Sequence, residues 1–243
     1  MSQSSGDVIK NEEPNFDDMV YNYNWSSTLL GPMDSWEPAL KNAMTLCLKS
    51  AFPTCIHLGP PDWLVVYNKA FIPLLKAKHP YALGKPTMDV WPEVYDRMLP
   101  QFEYVRTTGK GIYRKNTCLE LLRDGYAEES YFDYTFSPIF KSDGSFCAIF
   151  TLSYETTQRI LHARRLKVLN ELGHRISEVE SLESACHLMT KVLSDNVDIP
   201  YALIYFAEHK LNTSSESLVA RLIATTFDED NKKGRHIPDY LPS

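Results

Sequence analysis

The chain contains no CxxC pair. Its five cysteines, Cys47, Cys55, Cys118, Cys147 and Cys186, are odd in number and widely spaced, which excludes a zinc ribbon or a thioredoxin-like dithiol. Set mostly in apolar runs, they read as buried, reduced thiols. No apolar run approaches the roughly 18 residues that a membrane-spanning helix needs. The opening MSQSSGDVIKNEEP has no apolar signal core, so a cytoplasmic location is the expectation. There is also no basic excess. A formal net charge of −6 argues against nucleic acid and against anionic lipid as partners. Glycine-rich phosphate loops are missing too. Gly109-Lys110-Gly111 lacks a third glycine, and Gly84-Lys85-Pro86 lacks both an upstream glycine and a following Ser/Thr, so both read as turns. Neither HExxH nor GxSxG occurs.

Hydrophobic residues make up 44% of the chain, enough for a packed core. Its 243 residues can hold one large domain or two small ones. Residues 1–20 are polar and acidic and are expected to form a disordered tail. Next, Ser35 is placed to cap a helix that has Pro38 in its first turn, with Leu40, Ala43, Met44, Cys47 and Leu48 as its apolar stripe. Phe52–Leu58 and Trp63–Tyr67 are strand-like runs around Gly59-Pro60-Pro61. Prolines break residues 68–108 into short helical pieces, the longest covering Gln101–Thr108 and the turns before it. Gly111–Leu122 is a third strand, ending at Asp124-Gly125.

Tyr131–Thr157, YFDYTFSPIFKSDGSFCAIFTLSYETT, carries the strongest pattern. Phe132, Tyr134 and Phe136 share one face, while Tyr131, Asp133 and Thr135 share the other, so the period is two and one face is buried. Tyr126–Phe140 and Phe146–Ser153 are then the fourth and fifth strands, joined through Asp143-Gly144, where glycine accepts the positive φ of a hairpin turn. Thr156 and Thr157 can cap the helix that follows. Strands with segregated helices predict an α+β domain on a five-stranded antiparallel sheet. From Thr157 to about Val179 the pattern is helical, and Leu169, Leu172, Ile176 and Val179 keep a heptad register. That stripe suits either a dimer seam or a connector helix packed on its own chain. Leu182 opens another helix, with apolar Ala185, Met189 and Val192. Strand-like runs at Tyr201–Ala207 and Leu218–Phe227 follow, then a polar tail, DEDNKKGRHIPDYLPS, expected to be disordered.

The order strand-strand-helices-strand-strand-strand, with the runs WSSTLLGPMDSW, LKSAFPTCIHLGP, VVYNKAF, KHPYALGKP and VWPEV, resembles the N-terminal PAS sensor domains of microbial hybrid histidine kinases and related two-component sensors. The resemblance covers about Trp25 to Thr157. It implies a PAS domain over residues 21–156 with an N-terminal helical cap, and a signalling helix over 157–181. Helix, strand, loop, strand over 182–243 resembles the opening of a GAF domain, so that segment is expected to be an incomplete GAF-like α/β piece. The usual PAS exit motif, Asp-Ile-Thr, stands here as Glu155-Thr156-Thr157. The acid and the final threonine are kept, and the resemblance gives Glu155 and Thr157 the task of tying the last strand to the exit helix.

The resemblance implies sensing and dimerisation rather than catalysis. Gly173-His174-Arg175-Ile176-Ser177-Glu178 has arginine where a phosphoacceptor histidine needs an acid, and no proline closes the motif. Nothing downstream resembles an ATP-binding lobe. Leu83–Arg97 contains no cysteine for a flavin adduct and Pro92–Thr108 no histidine for haem, so flavin and haem are disfavoured and no cofactor is expected. Phe52, Trp63, Tyr67, Phe71, Trp91, Met98, Phe102, Phe132, Tyr134 and Phe136 are candidates to surround an apolar ligand pocket between sheet and helices; plain core packing is the simpler account of them. His57 is either a hydrogen-bonded strand-end histidine or a pocket residue. His79 is structural or at the surface, and Glu128 and Glu129 read as solvated turn carboxylates. The expected function is a non-catalytic sensory module of a two-component protein. It would couple a small-molecule ligand or a partner to a dimeric helix, with GAF and kinase modules downstream. The alternatives are an interaction module with a filled core and the input fragment of a larger histidine kinase.

Overall fold

The computed structural model describes residues 15–199, 201–212, 215–227 and 240–241. Two compact units divide the chain, Met1–Ile160 and Leu161–Ser243.

In the first unit, helix α1 spans Phe16–Tyr21. The tail expected over residues 1–20 therefore ends by Asn15, and residues 1–14 lie outside the described residues. The helix is held because its apolar positions find partners: Phe16 and Val20 are buried, and the Phe16 ring stacks on Tyr67 with centroids 5.1 Å apart. Trp25 and Trp36 meet edge-on at 5.1 Å. Their indole N–H groups donate to the carbonyls of Val20 at 2.9 Å and Gly31 at 3.1 Å, so each buried ring has its polar edge satisfied. Helix α2, Pro38–Lys49, has Pro38 at its start and buries Leu40, Met44, Cys47 and Leu48. Ser35 does not cap it. It closes a preceding turn, Met33–Ser35, and its hydroxyl donates to Pro32 O at 2.7 Å.

Five strands follow: β1 Thr54–Leu58, β2 Leu64–Tyr67, β3 Ile112–Leu122, β4 Ala127–Phe140 and β5 Phe146–Glu155. They form one antiparallel sheet in the order β2-β1-β5-β4-β3. Between β2 and β3 lie the short helices α3, Ile72–Leu75, and α4, Thr87–Val90, and the longer α5, Tyr95–Thr108, which accommodates Pro100. The α+β class and the five-stranded antiparallel sheet expected from the sequence are those of this unit. Every residue of β1 and β2 is buried. Strand side chains alternate between faces, so both faces of these strands are covered. On β4 the alternation is the expected one, with Phe132, Tyr134 and Phe136 buried. Gly144 takes φ +82° in the turn to β5. Gly84 takes φ +69°, and a Cβ there would lie 2.4 Å from the Tyr23 ring. That close approach is open only to glycine.

Helix α6, Thr157–Ile176, leads from the first unit into the second. It ends three residues short of Val179, which lies in the turn beyond it. The second unit continues with α7, Leu182–Ser194, whose N-cap Ser181 accepts from Ser184 N at 3.1 Å. It ends with the antiparallel strands β6 Leu203–Asn212, β7 Ser215–Thr225 and β8 Tyr240–Leu241. Tyr240 and Leu241 fall in the tail expected to be disordered and instead pair with Arg221 and Ala220 of β7. Residues 228–239 of that tail lie outside the described residues.

Candidate functional site: an apolar cavity and a clasp on the exit helix

The inner face of the sheet and helices α3 to α5 enclose a cavity of about 450 Å³. Six of the expected aromatic and apolar residues line it: Phe71, Trp91, Met98, Phe132, Tyr134 and Phe136. Trp63, Tyr67 and Phe102 are buried but stand outside the lining. The Trp63 ring packs on Phe102 at 5.0 Å, and Phe102 meets Phe136 edge-on at 4.9 Å. Phe52 does not belong to the pocket. It sits in the bend before β1, is 44% exposed, and stacks on Tyr154 at 6.1 Å. Thr151 and Ser153 face the cavity, so Tyr154, one residue on, belongs to the opposite face of β5.

Sequence reasoning missed the rest of the lining. Leu74, Val94, Thr117, Leu119 and Leu121 add apolar wall, and Thr151 and Ser153 add hydroxyls. Arg97, Gln101 and Arg114 bring polar groups. The period-two spacing of Thr117-Leu119-Leu121 and Thr151-Ser153 is the signal in the sequence that places them on one face.

His57 lines the cavity and is also hydrogen-bonded, so both of its readings apply. Its Nδ1 lies 2.9 Å from Thr87 Oγ1, and that hydroxyl donates to Trp63 O at 2.5 Å. With its one proton spent, Thr87 Oγ1 must accept, so Nδ1 carries the imidazole hydrogen and Nε2 presents a lone pair. Cys55 Sγ, a weak donor, lies 3.7 Å from that nitrogen. Burial pushes the His57 pKa down to about 3, which keeps the ring neutral. Thr151 sits opposite Cys55 across β1 and β5. Its Oγ1 is buried and has no hydrogen-bond partner. Towards solvent, Gln101 Oε1 accepts from Tyr134 OH at 3.2 Å and from Arg114 Nε at 3.3 Å. Arg97 donates to Cys118 O at 3.0 Å.

A second constellation joins this cavity to α6. Arg123, 2% exposed, follows β3. Its guanidinium donates to Glu155 Oε2 at 2.8 Å and Oε1 at 3.1 Å, to Glu128 Oε2 at 2.8 Å, and to Ser130 Oγ at 2.9 Å. It also reaches Leu74 O at 3.4 Å and lies 5.8 Å from the centre of the Phe132 ring. Glu155 Oε1 in turn accepts from Thr157 Oγ1 at 2.8 Å, and the same Thr157 oxygen accepts from Tyr131 N at 2.9 Å. Burial works to raise the Glu155 pKa. Hydrogen bonds from Arg123 and Thr157, with the Arg123 charge, outweigh it and hold the carboxyl below its ordinary range. Glu128, expected to be solvated, is instead drawn between Arg123 and Lys76, whose Nζ lies 2.6 Å away. Asn116, at φ +48° in the β3 bulge, makes a further tie. Its Oδ1 accepts from Thr156 Oγ1 at 3.3 Å and from Arg159 at 2.7 Å.

The remaining candidates stand apart from the cavity. His79 Nδ1 bonds to Tyr67 OH at 2.9 Å. His174 is exposed in the last turn of α6. Leu169, Leu172 and Ile176 lie along α6, Leu169 being 61% exposed. Among the described residues no group of histidines, cysteines and carboxylates could hold a metal, and no helix is long and apolar enough to cross a membrane.

No protein-family model matches the chain, and no curated protein matches it. Solved structures do. A sensory box sensor histidine kinase from Vibrio cholerae is 18% identical over 48% of this chain and 87% of its own, with a TM-score of 0.33. The PAS domain of Bordetella pertussis BvgS is 17% identical over 54% of this chain and 97% of its own, at 0.34. An RNA-binding light-oxygen-voltage receptor is 16% identical over 63% of this chain and 43% of its own, at 0.40. These likenesses concern the arrangement of strands and helices and carry no ligand, partner or activity over to this chain.

Proposed function

We propose that the first unit is a PAS-type sensory module of a two-component signalling protein. It takes a small molecule into the cavity and passes its presence to α6 through Arg123, Glu155 and Thr157. One observation carries this reading. Leu74 and Phe132 both line the cavity and both touch Arg123, and Arg123 holds the acid that holds the first residue of α6. A ligand that displaces either wall shifts the clasp only if it binds one arrangement better than the other. The module binds and transmits, and performs no chemistry of its own. In this reading α6 is a signalling helix that pairs with its copy in a homodimer, the second unit is the start of a GAF-like domain, and kinase modules act downstream.

A fragment library screened by amide NMR tests the proposal. Binders should move resonances of His57, Thr151 and Phe132 together with those of Thr157–Ile160. Binders that move the cavity resonances and leave the first turn of α6 untouched would sink the transmission step. A library that leaves the cavity resonances unmoved would favour the rival interaction module.

A further inference from the structure

The cavity's polar groups are unevenly distributed, and the distribution specifies a ligand. At its closed end lie a hydroxyl without a partner and an imidazole nitrogen whose one partner is a weak thiol donor. Thr151 is 3% exposed and its hydroxyl has no partner. His57 is 2% exposed, and its Nε2 lone pair meets only a distant thiol. Both belong to the inner face, two residues apart in register across β1 and β5. Leaving a buried hydroxyl unsatisfied is costly, and a guest hydroxyl corrects it: its oxygen accepts from Thr151, and it donates to His57 Nε2 in place of the weak thiol. A second carbonyl-type acceptor could not do this, because His57 has no hydrogen to offer on that nitrogen. At the solvent end the formal charges in the lining are both positive, Arg97 and Arg114, and no aspartate or glutamate lines the cavity. Neither arginine takes part in an ion pair among the described residues; their bonds run to Cys118 O and Gln101 Oε1. Between the two ends aromatic rings alternate with aliphatic side chains in equal number, an apolar wall that accepts a flat ring.

We propose that the cavity takes an aromatic carboxylate that carries a hydroxyl on its ring, with the hydroxyl lodged between His57 and Thr151 and the carboxylate at Arg97 and Arg114. This deepens the sensory reading and rests on it, since it assumes that the cavity is the ligand site.

Calorimetric titration of the full chain tests it. The probes are 4-hydroxyphenylacetate, 3-(4-hydroxyphenyl)propionate and 4-(4-hydroxyphenyl)butyrate, each beside its methyl ester and its analogue without the ring hydroxyl. At least one acid should bind about fivefold or more tightly than both of its analogues. Thr151→Val preserves shape and should weaken the preference for the hydroxyl, since His57 Nε2 alone then receives it. The exposed pair Arg97→Gln/Arg114→Gln should erase the preference for the acid over the ester and leave the fold intact by circular dichroism. No acid binding, no preference, or preferences undiminished by the substitutions would overturn the ligand class. Amide shifts in the first turn of α6, read in the same samples, separate this from the sensory reading. Esters that bind and move that turn would remove the carboxylate and keep the sensor. Acids that bind with the stated preferences and leave the turn unmoved would do the reverse.

Discussion

Burial pushes the His57 pKa down to about 3, while the same side chain in an unfolded chain titrates near about 6.5. Between those values the unfolded state binds a proton that the folded state refuses, so stability rises with pH through that window. The contribution is intact above about 6.5 and is lost as pH falls toward 3, with a limiting slope of about 1.4 kcal/mol per pH unit. Urea unfolding should show this slope between about pH 4.5 and 6 and no further His57 contribution by about pH 7.5. Nitrogen NMR of the folded protein should show His57 as the neutral Nδ1–H tautomer at pH 5; a charged ring there would contradict the assignment. Thr151 makes the complementary case. Its hydroxyl is buried and has no partner within the protein, so Thr151→Val should stabilise the protein by about 1 kcal/mol. Denaturant midpoints at unchanged slope measure it, and a loss of stability would mean that the hydroxyl is satisfied in solution. The sequence offered His57 as a hydrogen-bonded or pocket residue, and gave no sign of Thr151. A threonine in FTLSY is an ordinary strand residue, and its orphaned oxygen follows from the register against Cys55, 96 positions away.

Among the elements, the strands and hairpins were legible and the clasp was not. Alternation in Tyr131–Phe136 and glycine at 144 are local signals, and they gave β4, β5 and their turn nearly to the residue. Phe52 misled because a strand-like run was extended backwards through a bend. Arg123 was invisible because it lies in a polar Leu-Arg-Asp-Gly turn, and its partner Glu155 is 32 residues away. The resemblance did point to Glu155 and Thr157, the two ends of the tie whose middle is Arg123. Removing Arg123 leaves the partly buried Glu155 without its guanidinium partner and leaves Glu128 paired with Lys76. Arg123→Leu should therefore destabilise the first unit by about 3 kcal/mol. Glu155→Gln keeps the hydrogen-bonding shape and should cost less. Thermal unfolding of both variants orders them; equal losses would mean that the charge of Glu155 rather than Arg123 organises the cluster.

At the scale of the whole molecule, the proposed function makes α6 the place where a local change becomes an output. Its heptad positions Leu169, Leu172 and Ile176 run along a helix whose surface is largely exposed, Leu166 and Leu169 being 59% and 61% accessible. Burying a leucine-sized side chain contributes about 1.5–3 kcal/mol, so pairing of two such helices offsets the cost of association at micromolar concentrations. The chain should therefore sediment as a dimer at tens of micromolar, and Leu172→Glu should shift it to monomer with the first unit still folded. A monomeric wild type would return α6 to the role of a connector. The central claim is that cavity occupancy reaches α6 through the clasp. Amide hydrogen exchange over Thr157–Leu161, measured with and without the tightest cavity binder, in the wild type and in Glu155→Gln, tests it most directly. The account predicts that binding changes exchange in this segment of the wild type and that Glu155→Gln abolishes the change while the ligand still binds. Identical exchange with and without ligand in the wild type would contradict it.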